Sequence, residues 1–243
     1  MDSTAAAGLR RTDGREAQQL RPPSLEDGLL NRADGSARVN AGHTSVIAAV
    51  FGPMQGRSRG PGVGQPDCLS IEVVLSGGSG IGNGQATSNG VAAENAATYK
   101  SILLDVLHSS VCLAAYPRCS LTVACRVLHN DGSCLAALVN AAAAALMDAG
   151  VDMVCMPVGA AFAWRPPSLE PQLPQLLVDP DAAEEAKLAN ITVVCSAAPD
   201  STQLLAMHAV GCLDDAALPA CVEAAEQVAR TFAQISRRKN EVR

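Results

Sequence analysis

Between His129 and Met153 the chain reads HNDGSCLAALVNAAAAALMDAGVDM, and this stretch restricts the possible folds more than any other. Leu135, Leu138, Val139, Ala142 and Leu146 recur at the spacing of an amphipathic helix that faces a core. Asp131-Gly132-Ser133 is a polar turn able to cap the start of that helix, and Gly150 supplies its stop. The five alanines of 141–145 combine high helix propensity with little bulk, so a sheet or a second helix can approach closely. The sequence predicts a buried, central helix.

Such a helix needs a core around it, and 243 residues of which 48% are hydrophobic can build one, most simply as a single domain over residues 10–243. Residues 1–9 show no periodicity and are expected to be a disordered tail. Aromatic residues make up only 2%, so Ala, Val and Leu must fill the core and few rings remain to stack on bases. The nine cysteines are odd in number, show no framework spacing and follow no secretory signal; reduced thiols of an intracellular protein are expected. Cys119 and Cys125 have no paired CxxC, and no cysteine and histidine stand at zinc-finger spacing, so no metal is expected. No apolar run approaches the ~20 residues of a membrane span.

Charge is distributed unevenly. Residues 1–60 carry 8 basic and 6 acidic side chains, 61–229 carry 5 and 17, and 230–243 carry 5 and 1. A free-standing nucleic-acid binder usually presents a basic face. Here only the ends are basic, and the simplest reading of them is solvated termini.

The residues that identify a family begin at the N-terminal side. Arg11-Thr12-Asp13-Gly14-Arg15 followed by Leu20-Arg21-Pro22 is similar to the RxDGR…LRP opening of the RNase PH family. Gly42-His43-Thr44-Ser45-Val46 matches its GnTxV segment, with His43 expected as a turn residue, and Gly52-Pro53 its strand-closing GP. Pro117-Arg118-Cys119-Ser120-Leu121 resembles the PRTSI segment of RNase PH-like subunits of the RNA exosome. The resemblance runs from Arg10 to about Arg238 and implies the RNase PH fold: α/β, mixed sheets packed on a central buried helix, with a C-terminal helix.

Around these motifs, turn chemistry and periodicity predict further elements. Asp34-Gly35 marks a turn before a hairpin whose second strand is 46–51, and Cys68–Leu75 reads as a third strand. Ser76–Gly90 is a glycine loop without the helix or acidic partner of a dinucleotide site, so no cofactor is expected. Ala92–His108 reads as a helix, Ser109–Tyr116 as an insertion, Cys119–Leu128 and Met153–Trp164 as strands, with a turn at Pro166-Pro167 and another strand at Leu173–Val178. A closing hairpin over Ile191–Cys195 and Gln203–Val210 turns around Ala198–Ser201. The last helix is expected to bury Leu218, Val222, Ala225, Val228, Phe232 and Ile235, with Asp214 and Asp215 at its positive end.

The resemblance also implies where chemistry would sit, and there the sequence departs from the active pattern. Active members hold phosphate with a DGGTR turn; this chain has Asp131, Gly132, Ser133, Cys134 and Leu135, and an aliphatic side chain cannot replace the arginine fork. A helical arginine that assists is replaced by Thr98 or a neighbour. The family's two aspartates align with Glu184 and Asn190, leaving Asp181 and Glu185 as alternatives; a solvated acidic turn is the competing reading. Arg57 and Arg59, on a Gly/Pro-rich loop, could contact RNA phosphates. The resemblance therefore implies a catalytically silent subunit: one that joins other RNase PH-like subunits and cap proteins in a six-membered ring that threads RNA, in nucleus, nucleolus and cytoplasm. The competing expectation is an active homodimeric nuclease using Glu184, Asp181 and Glu185.

Overall fold

A computed structural model describes residues 11, 13–55, 70–77, 93–165, 176–197, 202–213 and 217–241. Strands β1 (Pro23–Asp27), β2 (Gly35–Ala41), β3 (Thr44–Gln55), β4 (Ser70–Gly77) and β5 (Cys119–His129) form one mixed sheet in the order β1-β2-β3-β5-β4. Neighbours in it are antiparallel except β4 and β5, which are parallel and joined through helix α1 (Ala93–Ser110). Strands β6 (Pro157–Trp164), β7 (Leu176–Val178), β8 (Ala189–Ala197) and β9 (Thr202–Val210) form an antiparallel sheet in the order β7-β6-β8-β9. Helices α2 (Cys134–Asp148), α3 (Ala182–Glu185) and α4 (Ala217–Glu241) complete the described fold. No helix among the described residues is long and apolar enough to cross a membrane.

Helix α2 lies between the two sheets. The sequence predicts one apolar face, but every residue from Cys134 to Leu146 is buried, because the five-stranded sheet covers one side and β6 and β8 the other. The alanines and two strand glycines make this fit possible. A Cβ on Gly35 of β2 would lie 2.3 Å from the Ala149 nitrogen, and one on Gly159 of β6 would lie 2.8 Å from Ala136 Cα. Asn140, in the middle of α2, donates Nδ2 to the Gly159 carbonyl at 3.0 Å and accepts the Gly159 amide on Oδ1 at 2.9 Å. The helix ends as predicted at Gly150, which adopts φ +67° while its amide and that of Val151 donate to the Met147 and Leu146 carbonyls.

All eight residues of β6 are buried for the same reason. Gly159 faces α2, while Val158, Ala160, Phe162 and Trp164 pack with Ile191, Val193 and the apolar side of α4. That side of α4 consists of Ala217, Cys221, Ala225, Ala229 and Phe232. The predicted stripe is right at Ala225 and Phe232, and Val228 packs at its edge; at its start it is out, since Leu218 is 38% exposed and Ala217 and Cys221 meet the sheet instead.

Other expectations need shorter corrections. β3 continues past Gly52-Pro53 to Gln55, β6 begins at Pro157, and Met153 makes only an isolated bridge with Val111. His43 stands exposed in the β2–β3 turn, as predicted. Four of the eight described cysteines are buried and none forms a disulfide. The 1–9 tail, most of the glycine loop, Arg57 and Arg59, Pro166-Pro167, Ala198–Ser201 and Asp214-Asp215 lie outside the described residues.

Candidate functional site

The turn that precedes α2 meets α3 and the N-terminal segment, and their charges interlock. Gly132 at φ +83° and Ser133 at φ 56° bend the chain sharply into the helix. A Cβ on Gly132 would lie 2.5 Å from the Pro180 carbonyl oxygen, so the turn is pressed against the start of α3. The expected side-chain cap by Ser133 does not form; its hydroxyl donates to the Pro180 carbonyl at 3.1 Å.

The three turn amides all donate to side chains of the protein itself. Asp131 N–H donates to Thr44 Oγ1 at 3.0 Å, Gly132 N–H to Asn130 Oδ1 at 3.2 Å, and Ser133 N–H to Glu185 Oε1 at 2.7 Å. The last contact places a carboxylate at the positive end of a 15-residue helix, where free amides and the helix dipole favour an anion. Burial pushes the Glu185 carboxyl above its ordinary range, helped by Asp179 and Asp131, while the Ser133 amide and Arg21 pull the other way. Cys134 is held protonated, its thiol pushed up to about 12 by burial and then by Glu185. Leu135, in the family's arginine position, is 2% exposed and part of the hydrophobic interior.

The carboxylates of the acidic turn are engaged by the protein itself, and so are Arg11, Arg15 and Arg21 of the N-terminal segment. Arg11 grips Glu184 through Nε to Oε1 at 2.8 Å and Nη2 to Oε2 at 2.5 Å, and also donates to the Val178 and Asp179 carbonyls. Glu184 Oε2 in addition accepts the Asp181 amide at 3.0 Å, and Asp181 Oδ1 accepts the Glu184 amide at 2.8 Å, a reciprocal cap on α3. Arg21 grips Asp179 through Nε at 2.8 Å and Nη2 at 2.6 Å, and its Nη1 donates to the Asp131 carbonyl at 2.9 Å. Burial disfavours the Asp179 anion, yet the Arg21 guanidinium holds its carboxyl below the usual range. Arg15 donates to the Asp179 carbonyl at 3.2 Å.

The predicted residues are therefore only partly brought together. Ser133 meets Glu185 through its amide, with Cys134 beside that carboxyl, Gly132 is pressed against Pro180 to Ala182, and Leu135 turns into the interior; Asp181 and Glu184 meet each other, and Glu184 meets Arg11. Asn190, on β8, donates Nδ2 to the Glu185 carbonyl at 2.7 Å and makes no hydrogen bond to Glu184. Thr98 is exposed on α1. Its neighbour Tyr99 is the α1 side chain that responds to this site, its hydroxyl pushed up to about 12 by burial and then by Cys134 and Glu185. Asp179, Arg21 and Arg11 were missed as site residues. The RxDGR…LRP match marked the arginines, but nothing local marked their partners, which lie more than 150 residues away.

Because Glu185 has a raised carboxyl pKa, its ionised form is less stable in the fold than in water, so stability should fall as pH rises from its ordinary value near 4.5 through the folded value. Glu185→Gln resembles the protonated form and still accepts the Ser133 amide. The variant should be equal or superior in stability to the parent at pH 7 and should lack this pH-dependent component, as urea titrations at pH 4 to 7 would measure.

Residues 19–152 match the family described as "3′ exoribonuclease family, domain 1", RNase PH. The exosome complex exonuclease RRP46 homolog of Oryza sativa subsp. japonica is 37% identical over 143 residues, 59% of this chain and 55% of that protein. The Arabidopsis thaliana protein of the same name is 33% identical over 181 residues, 74% of this chain and 67% of that one. The Homo sapiens exosome complex component MTR3 is 34% identical over 182 residues, 72% of this chain and 65% of that one. The match thus spans little more than half the length of the first relative. In structure, rice Rrp46 superposes with a TM-score of 0.79 at 29% identity, covering 93% of this chain and 98% of that one. An RNA-bound Archaeoglobus fulgidus exosome chain gives 0.74 at 21% identity over 93% and 92%, a likeness of fold.

Proposed function

The chain belongs to the RNase PH family of 3′ exoribonucleases, and on that premise we propose that it is a catalytically silent RNase PH-like subunit of an RNA exosome ring. In this reading it joins other RNase PH-like subunits, under cap proteins, in a six-membered ring that threads RNA. It thereby serves 3′-to-5′ RNA processing, rRNA maturation and RNA turnover in the nucleus, nucleolus and cytoplasm. The exosome names of its relatives support the assembly, and Leu29 to Pro53 together with the degenerate turn resemble the RRP46 type of subunit.

One observation carries the silent reading: Glu185 Oε1 sits 2.7 Å from the Ser133 amide. Phosphorolysis needs inorganic phosphate held in line against a polyanion, so its site must offer positive charge. Here the helix end already holds a carboxyl group of the protein's own, and Leu135 adds no cation. An incoming phosphate would find the Asp131, Gly132 and Ser133 amides already donating to Thr44, Asn130 and Glu185. Glu184 is no freer as a general acid, since Arg11 engages both of its oxygens.

The purified chain should accordingly show no phosphate-dependent shortening of single-stranded RNA, with or without magnesium. Release of nucleoside diphosphates that vanishes in Glu184→Gln would refute the silent reading, and shortening without phosphate, lost in the same variant, would indicate a hydrolytic nuclease. Affinity purification of the tagged protein from its own cells tests the assembly separately: other RNase PH-like subunits and cap proteins should accompany it.

A further inference from the structure

On the five-stranded sheet, alternate residues point away from α2. Val39, Val46, Ala48, Cys125 and Val127 are buried on the inner face, so Arg38, Ile47 and Arg126 stand on the outer one. The register places them side by side: Arg38 on β2 pairs with Ile47 on β3, which pairs with Arg126 on β5. With about 4.8 Å between strands, the two arginine backbones stand about 10 Å apart with one aliphatic side chain between them.

Neither guanidinium serves the fold in the way Arg11 and Arg21 do. Among the described residues neither Arg38 nor Arg126 has an ion pair, although Glu26 is the cross-strand neighbour of Arg38 and Glu72 lies exposed on β4. Arg38 is nonetheless held in place. Its Nε donates to Asn40 Oδ1 at 3.0 Å and Ser45 Oγ at 3.2 Å, and the Ser45 hydroxyl donates to Asn40 Oδ1 at 2.7 Å. Among the described residues only Nε is used, so both Nη groups remain for an outside acceptor. A guanidinium fixed at one nitrogen and open at the other two suits a planar two-point contact with phosphate. Arg126 is one of only 5 basic residues among the 22 charged ones between 61 and 229, and it stands in the same row.

We propose that the Arg38–Ile47–Arg126 row is a docking surface for the phosphate backbone of single-stranded RNA, outside the degenerate phosphate turn. Each arginine takes a phosphate, and Ile47 gives apolar support to the sugar between them. Contacts of this kind position RNA and do not read its sequence. The inference rests on the RNA-handling role proposed above and adds a place on the chain where RNA is held.

The test uses the full 243-residue chain and a fluorescent oligouridylate, with affinity measured by anisotropy across a salt series. Each phosphate contact on a single strand contributes about 0.7 to the slope of log affinity against log salt, so Arg38→Ala or Arg126→Ala should each reduce it by about 0.7 and the pair by about 1.4. Asn40→Ala, which keeps the charge but frees its orientation, should weaken binding without removing a full contact from the slope. Arg118→Ala, in the turn just before β5, serves as the control and should change neither. Parental binding and slope in the double variant would overturn the inference and leave the ring reading intact. Absence of RNA binding by the parent chain would overturn the inference, while the ring reading stands or falls on the companions that purify with it. Unchanged RNA binding with loss of companion subunits on purification would assign the row to a protein neighbour instead. Thermal unfolding checks that each variant is folded.

Discussion

Leu138→Asp should yield no soluble folded protein at a level where the parent is soluble, because position 138 lies in the middle of α2 with no exposed surface and a sheet on either side. Losing the leucine alone would cost about 2–5 kcal/mol in transfer and cavity terms. The aspartate adds a carboxylate that must either ionise unpaired or bind a proton well above its ordinary pKa. A domain of this size has a total stability of only about 5–15 kcal/mol, so the combined loss is of the same order as the whole. Expression at low temperature followed by gel filtration decides it. A monodisperse variant melting close to the parent would mean that α2 does not sit between the sheets as described.

The second large effect is expected from Arg21→Met. Arg21 is 6% exposed and holds Asp179 at 2.6 Å, and Asp179 is itself buried, so the variant leaves that carboxylate in the interior with the longer contact to Arg15 at 3.8 Å as its ion pair. Breaking a buried pair from one side costs about 3–5 kcal/mol, here together with lost contacts to the Asp131, Gly132 and Pro180 carbonyls. The pH dependence fixes the cause. The folded Asp179 pKa is depressed, so its contribution is fully present above the unfolded value near 3.8 and is lost as pH falls through the folded value. In Arg21→Met that contribution is absent and the stranded carboxylate titrates upward. The gap between parent and variant should therefore be widest near pH 7 and narrow below pH 4. Adding Asp179→Asn to the variant should recover a large part of the loss at pH 7, whereas a purely steric effect of methionine would recover none.

These two positions also show what could be seen before the structure. Leu138 was legible because helical spacing is local: it needs only neighbours three and four residues away, and the same local signals marked α1, the β2–β3 turn and the stop at Gly150. The complete burial of α2 was not legible, because alanine satisfies a surface and an interior equally well. The α4 stripe was legible at Ala225 and Phe232 but went astray at its start for the opposite reason, as bulk drew attention to Leu218 and Val222 although Ala217, Cys221 and Ala229 fit closer to the sheet. The candidate site was least visible. Arg21 and Asp179 are 158 residues apart, and Arg11 and Glu184 are 173 apart, so their pairing exists only once the two sheets have closed on α2. Before that, Asp179 to Glu185 is indistinguishable from a hydrated acidic turn. Glu185 on the Ser133 amide belongs to the same class: its identity was on view in the sequence, its role was not.

The two hydrogen bonds between Asn140 and Gly159 have a consequence for how the protein comes apart. Strand β6 is bonded along one side by β8, but β7 reaches only Phe162 to Trp164 on the other, so near Gly159 the edge is completed by a side chain from a helix. The primary amide of Asn140 donates and accepts at once there, and withdrawing it leaves a peptide N–H and a carbonyl dry and unmatched. Helix α2 cannot slide by a turn along β6 without breaking this key, nor can β6 leave without uncovering the face of α2 that the other sheet needs covered. The cooperative unit of opening is therefore larger than either sheet. Fluctuations that expose the Gly159 amide to solvent exchange belong to the global transition and not to a local fraying of β6.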